Sequence, residues 1–169
     1  MRPVFLIGFM GSGKSTVGKE LAKALNCDFI DLDIYIQEKA GKTIPEIFEQ
    51  MGETEFRLME KDALRKVAAL KNTVIATGGG VPCFYDNISL MNKYGITIYL
   101  KLSPVELFKR LTNERDFRPL IANKNDDELL QFIEIKLAER ETFYNQASIV
   151  IDAESAEVED YVSAINLKT

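Results

Sequence analysis

The chain has 169 residues, 46% hydrophobic and 28% charged, with 26 acidic against 21 basic side chains and a net charge of −5. That length suits one domain, residues 1–169, with a core large enough to need no staples, and no apolar run approaches membrane-spanning length. The acidic balance argues against a nucleic-acid partner, and the absence of histidine removes the usual general base and zinc ligand, leaving carboxylates or solvent to accept protons.

Met1-Arg2-Pro3 leads straight into the apolar run Val4–Ile7, which reads as a buried strand. No signal peptide is expected, and the location expected is the cytoplasm. Gly8-Phe9-Met10-Gly11-Ser12-Gly13-Lys14-Ser15-Thr16 then satisfies G-x-x-x-x-G-K-[ST], and Val17 to Leu25 follows as an amphipathic helix with Val17, Leu21, Ala24 and Leu25 on one face. Strand, loop and helix form the context a phosphate-binding loop requires, which outweighs a chance lysine beside a glycine-rich turn. Glycines let backbone N–H groups converge on phosphate oxygens, and the helix N-terminus adds about half a positive charge aimed at the same anion. Lys14 is expected to reach the β- and γ-phosphates and the Ser15 hydroxyl to complete a Mg²⁺ shell.

Phe29 to Leu32 reads as the second strand, and Asp31-Leu32-Asp33 stands at its C-terminal end, where ligands bind in parallel sheets. A period of two puts both carboxylates on one side of an extended segment, one for the second shell of Mg²⁺ and one for a hydroxyl. Alternatively, Asp33 caps a helix beginning at Ile34. Thr43 and Glu46 make a capping box before a helix from Ile44 to Met51, and a long helix from about Gly52 to Lys71 carries Arg57 near its start. An arginine there opposes the helix dipole, so a ligand carboxylate is a sufficient reason for it, and pairing with Glu53 or Glu60 at the surface is the competing one.

Thr73–Ala76 is the third strand. The run Thr77-Gly78-Gly79-Gly80 after it implies either a close approach of backbone to ligand or a tight turn with positive φ. Ile96 to Leu102 is the fourth strand, and Ser103 with Glu106 makes a second capping box, with Pro104 at the first helical position. No period survives between Thr112 and Lys124, a polar and basic stretch whose length marks it as a functional loop. Asn125-Asp126-Asp127 opens a helix toward Tyr144 that carries Arg140, with Glu139 and Glu141 as ready partners. Ser148–Ile151 is the last strand, and Ser155 is expected to cap a helix over Ala156 to Asn166. Strands alternating with helices specify an α/β fold with a parallel sheet covered on both faces. Cys27 and Cys83 lack the spacing of a metal site or redox pair and read as small apolar fillers in a reducing compartment.

Taken in order, G-F-M-G-S-G-K-S-T-V-G, D-L-D, G-x-T-I-P-E-I-F, G-E-x-x-F-R-x-x-E, A-T-G-G-G, R-P-L and E-R-x-x-x-Y resemble shikimate kinase from the first strand to the last long helix. The resemblance implies a fold like that of nucleoside monophosphate kinases, with a five-stranded parallel sheet, a substrate-binding helical segment over 33–62 and a mobile lid over 112–124. It implies transfer of the ATP γ-phosphoryl to the 3-hydroxyl of shikimate, on the way to aromatic amino acids; a monomer with no nucleic-acid or membrane partner is expected. Matched residue by residue, it assigns shikimate contacts to Asp33, Arg57, Gly79 and Arg140. It assigns nucleotide contacts to Gly11, Ser12, Gly13, Lys14, Ser15, Thr16 and Arg118, places Arg110 beside the adenine, and gives Mg²⁺ to Ser15 and, through water, Asp31. Catalysis falls to Lys14, Asp33 and Arg118. An arginine that some relatives carry against the adenine is replaced here by Asp152-Ala153-Glu154-Ser155. The rival readings are another small-molecule kinase, of gluconate or nucleotide type, and a non-catalytic nucleotide-binding relative.

Overall fold

Residues 1–168 are described by the structure, a computed structural model, apart from the side chain of residue 117. Thr169, the last residue of the expected domain, lies outside that description. Strands β1 (Val4–Ile7), β2 (Asp28–Asp31), β3 (Thr73–Ala76), β4 (Ile96–Lys101) and β5 (Ile149–Asp152) form one parallel sheet in the order β2-β3-β1-β4-β5. Helices α1 (Lys14–Ala24), α2 (Leu32–Ala40), α3 (Ile44–Ala68), α4 (Asn87–Tyr94), α5 (Pro104–Thr112), α6 (Asp126–Tyr144) and α7 (Val158–Asn166) cover its two faces. Alternation along β1 shows why both faces must be covered: Val4 and Leu6 enter a core with Leu21 and Tyr161, while Phe5 and Ile7 enter the other with Leu64 and Met91. The chain leaves β1 to build β2 and β3 on one side and β4 and β5 on the other. The C-terminal end of β1 is therefore the point at which ligand-binding crevices form in such sheets.

Several boundaries differ from the sequence reading, each for a local reason. Leu32 is not in β2 but opens α2, because the Asp31 carboxylate accepts from the N–H groups of Asp33 (3.1 Å) and Ile34 (3.3 Å). Thus Asp31, not Asp33, is the cap, and the two carboxylates are not a period-two pair on an extended segment. Helix α1 begins inside the phosphate loop, and its buried positions are Gly18, Leu21 and Ala22 rather than Ala24. The Thr43–Glu46 box forms as expected, whereas at α5 only half of one does: Ser103 Oγ accepts from Glu106 N, but Glu106 turns to Arg110, and Glu154 takes the Ser103 N–H. Ser155 caps nothing; α7 starts two residues later than expected, with Glu157 as its cap residue. The long helix ends at Ala68, and Gly52, at φ 83°, breaks it where the sequence places the junction of two helices.

Residues 112–124 are not structureless. Thr112 ends α5, Arg115–Phe117 form a 3₁₀ turn, Ile121 is fully buried, and Arg115 is tied to Asp126 at 2.5 Å. Among the described residues no helix is long and apolar enough to cross a membrane.

At the N-terminal end of the strands, opposite the phosphate loop, a Cβ on Gly95 would lie 2.2 Å from the Pro3 carbonyl oxygen, which pairs with Ile96 N. Gly95→Ala is expected to destabilise the fold by about 2 kcal/mol, about 5 °C in thermal denaturation. Turnover per folded molecule stays unchanged; an unshifted melting temperature contradicts the crowding.

Candidate active site

The phosphate loop joins β1 to α1 with Gly11 at φ 77° and Gly13 at φ 90°, conformations that side chains strain to adopt. No side chain caps α1 and no acidic residue stands in its first turn, so the N–H groups there are left for an anion. Lys14 does not extend from the loop. Its ammonium donates to the carbonyls of Gly8 (2.9 Å) and Phe9 (2.8 Å), and reaching a phosphate means exchanging these bonds. Burial lowers its pKa to about 8; Arg118 and Arg140 push the same way, against Asp33 and Asp31.

Ser15 Oγ donates to Asp31 at 2.6 Å, so the loop hydroxyl and the carboxylate at the end of β2 are already paired. The remaining Asp31 oxygen caps α2, which fixes the orientation of the carboxylate. Asp33, one residue into α2, is half-buried and shares the cleft with Lys14; burial raises its pKa, Asp31 raises it further, and Lys14 and Arg57 oppose. The cleft, about 670 Å³, is lined by residues 10–17, Asp31, Asp33, Thr77–Gly79, Arg110, Arg118 and Tyr161 among others. Arg110 is held by Glu106 at 3.1 Å, and Arg118 by Glu114 through two hydrogen bonds, the Nε one at 2.7 Å. The segment at 152–155 serves α5 through Glu154, while Ala153 and Ala156 line the cleft.

The glycine run explains the other half of the site. None of Gly78, Gly79 and Gly80 has positive φ, so a turn of that kind does not account for them. Close approach does. A Cβ on Gly78 would lie 3.0 Å from an Asp33 carboxylate oxygen, on Gly79 3.3 Å from the Arg140 guanidinium, and on Gly80 2.7 Å from that of Arg57. Three bare residues after β3 therefore let three charged side chains, delivered by α2, α6 and α3, settle on one strip of backbone.

Arg57 does pair with Glu60 (2.7 Å) and Glu53 (3.4 Å), but it is no surface arginine. Its side chain is 12% exposed, its guanidinium carbon lies 4.1 Å from the centre of the Phe84 ring, and its Nε is buried without a partner. Arg140 declines both neighbours: Glu139 binds Lys136, and Glu141 faces Lys101 and the Tyr99 hydroxyl. Its guanidinium stands 5.5 Å over Phe9, and among the described residues no carboxylate pairs with it.

The sequence reading gave Glu60 only the role of a surface partner of Arg57 and gave none to Tyr144, although both stand in quoted motifs. Glu60 is 1% exposed, and burial pushes its pKa up to about 7 despite Arg57. The spacing of three announces the pair, but not its burial. Tyr144 donates from its hydroxyl to the Gly79 carbonyl at 2.7 Å, across 65 positions, which no local pattern could announce.

The comparisons with known proteins run through all of these elements. A family model described as shikimate kinase matches residues 10–168. A shikimate kinase of Bacteroides thetaiotaomicron is 47% identical over 154 residues, 91% of this chain and 88% of that protein. The crystal structure of shikimate kinase from Bacteroides thetaiotaomicron matches with TM-score 0.91 at 44% identity, covering 99% of this chain and 97% of that one. Shikimate kinase from Acinetobacter baumannii in complex with shikimate matches with TM-score 0.84 at 32% identity, over 99% and 92%. Sequence likeness at this coverage and superposition of the whole sheet and its helices lead to one assignment: the chain belongs to the shikimate kinase family.

Proposed function

We propose that this enzyme transfers the γ-phosphoryl group of ATP to the 3-hydroxyl of shikimate, releasing ADP and shikimate 3-phosphate for aromatic amino acid synthesis. The observation that carries the reading is the strip at 78–80, where a carboxylate and two guanidiniums meet backbone, with Gly78, Gly79 and Asp33 lining the phosphate-loop cleft. Shikimate is complementary to that set. Its carboxylate suits Arg57 and Arg140 with the Gly79 amide, and its hydroxyl suits Asp33. This is also how a protein of net charge −5 holds an anionic acceptor.

In this reading the amides from Gly11 to Thr16 and the Lys14 ammonium hold the β- and γ-phosphates, and Arg110 lies beside the adenine. The acceptor oxygen attacks the γ-phosphorus in line as the bond to the β-phosphate oxygen breaks, and the hydroxyl proton passes to Asp33. Positioning and charge stabilisation supply most of the acceleration in such reactions. Closure of residues 112–124 brings Arg118 from Glu114 to the transferring group and excludes water as a competing acceptor.

The family's use of ATP implies a divalent ion. Ser15 and Asp31 fit Mg²⁺: they offer two paired hard oxygens, and the described residues contain no cluster of three acidic, cysteine or histidine side chains. Such a site leaves the remaining positions to water and phosphate oxygens, as Mg²⁺ requires. When bound there, the ion would neutralise charge on the phosphates. We take the enzyme to act as a monomer in the cytoplasm, on small-molecule substrates and without a nucleic-acid or membrane partner.

A coupled assay of ADP release across shikimate, quinate, gluconate and nucleoside monophosphates tests the reading. Turnover dependent on shikimate is expected; preference for gluconate or a nucleoside monophosphate overturns it. A non-catalytic role is disfavoured by the retention of Lys14, Asp33 and both acceptor-side arginines.

The Arg57–Glu60 pair gives this reaction a pH dependence. The groups facing Glu60 are Arg57, Asp33 and Arg140. A substrate carboxylate arriving at Arg57 adds negative charge and raises Glu60 further above 7, so binding takes up a proton. Shikimate affinity is then constant below about pH 7 and falls by up to about tenfold per unit as pH rises through the interval between the free and bound values. Calorimetry in two buffers of different ionisation enthalpy reads that proton; Glu60→Gln flattens the profile. An identical slope in the variant contradicts the linkage.

A further inference from the structure

Each carbonyl of the glycine run has a partner. Gly78 O accepts from Val81 N (3.1 Å) and Gly80 O from Cys83 N (2.9 Å), both within the 3₁₀ turn that follows. The carbonyl between them has no backbone donor and is met by the Tyr144 hydroxyl. By contrast, the amides of Gly79 and Gly80 find no acceptor among the described residues. A strip whose carbonyls are all tied and whose middle amides are free is oriented as a donor surface.

Tyr144 is fully buried, with its ring 5.0 Å from that of Tyr99, and burial holds its phenol above the usual tyrosine range, so it remains a donor throughout the neutral range. It lies four residues after Arg140 on α6, and residues at that spacing share a helix face. The guanidinium against Gly79 and the hydroxyl on the Gly79 carbonyl are therefore carried by one rigid turn. We propose that Tyr144 is a positioning residue for the acceptor carboxylate: by fixing the Gly79–Gly80 peptide it aims the free Gly80 amide and sets the distance of the glycine run from Arg140. The inference rests on the shikimate reading above.

Tyr144→Phe keeps the ring and removes the donor. The expected result is a rise of tenfold or more in KM for shikimate, with KM for ATP and kcat at saturating shikimate within about twofold of wild type. The preference for shikimate over its neutral carboxamide should fall by a similar factor, because the lost alignment concerns the carboxylate alone. A merely structural role predicts a lower melting temperature with that preference unchanged, and this outcome overturns the proposal. 4-Aminophenylalanine at position 144, a weaker donor of the same shape, should fall between Phe and Tyr. If Tyr144→Phe does not fold, an unchanged acid-to-amide preference in the amino variant overturns the proposal by itself. Absence of shikimate turnover in wild type would instead sink the functional reading.

Discussion

Replacing Lys14 by alanine is expected to lower kcat/KM by about a thousandfold or more, several kcal/mol of transition-state stabilisation, while the protein remains folded. The ammonium is the one cation delivered by the loop itself, and its present partners are the Gly8 and Phe9 carbonyls and, at 3.4 Å, Ser12 Oγ. Loss of those bonds at a half-buried position beside the cleft leaves the carbonyls to water, so the melting temperature should fall by only a few degrees. Circular dichroism and a melting curve separate this result from unfolding. Because Lys14 must be charged to meet phosphate, and its pKa in the free protein is about 8, kcat/KM for ATP should decline as pH rises through 8. The plateau in kcat should extend further, since bound phosphates raise the ammonium again. Near-normal turnover in Lys14→Ala refutes a catalytic role for the loop lysine.

Asp33→Asn is expected to separate binding from chemistry. The amide preserves size but withdraws the charge and the proton acceptor, so kcat should fall by about 10²- to 10⁴-fold while shikimate affinity changes much less. The position of Asp33 supports this division. Its carboxylate touches the space above Gly78 and feels both Lys14 and Arg57, one on each side of the transfer. Its raised pKa gives wild type an acid limb: activity is lost as pH falls through that value, and the limb should disappear in the variant. A loss confined to shikimate binding reduces Asp33 to an anchor, and unchanged turnover removes it from the mechanism.

How far the sequence announces this site depends on the range of each interaction. The phosphate loop is legible because its function is local, with glycine φ angles, helix N-terminus and lysine falling within nine residues. The strands are legible because a buried parallel strand must be apolar on both faces. Boundaries shift where a side chain from elsewhere enters the local pattern, as when Glu154 replaces Glu106 at the start of α5 across 51 positions. The two arginines illustrate the same limit from opposite directions. Each has glutamates at helical spacing or next in sequence, yet Arg57 takes its pairs and is buried with one of them, Glu60, while those beside Arg140 are drawn off by Lys136 and Lys101. Tyr144 lies beyond any sequence pattern, since its partner is a backbone carbonyl in another layer of the fold.

The bare strip at 78–80 also constrains how this protein can change. A single base substitution turns any glycine codon into one for alanine, and at each of these codons the first methyl group crowds a different charged side chain. Neighbouring genotypes therefore shift one of these three side chains whenever they alter the strip, and stepwise drift along this segment is constrained. Innovation must enter through the helices whose side chains rest on it, where Leu58 on α3 and Ile34 on α2 are exposed and can vary without touching the floor.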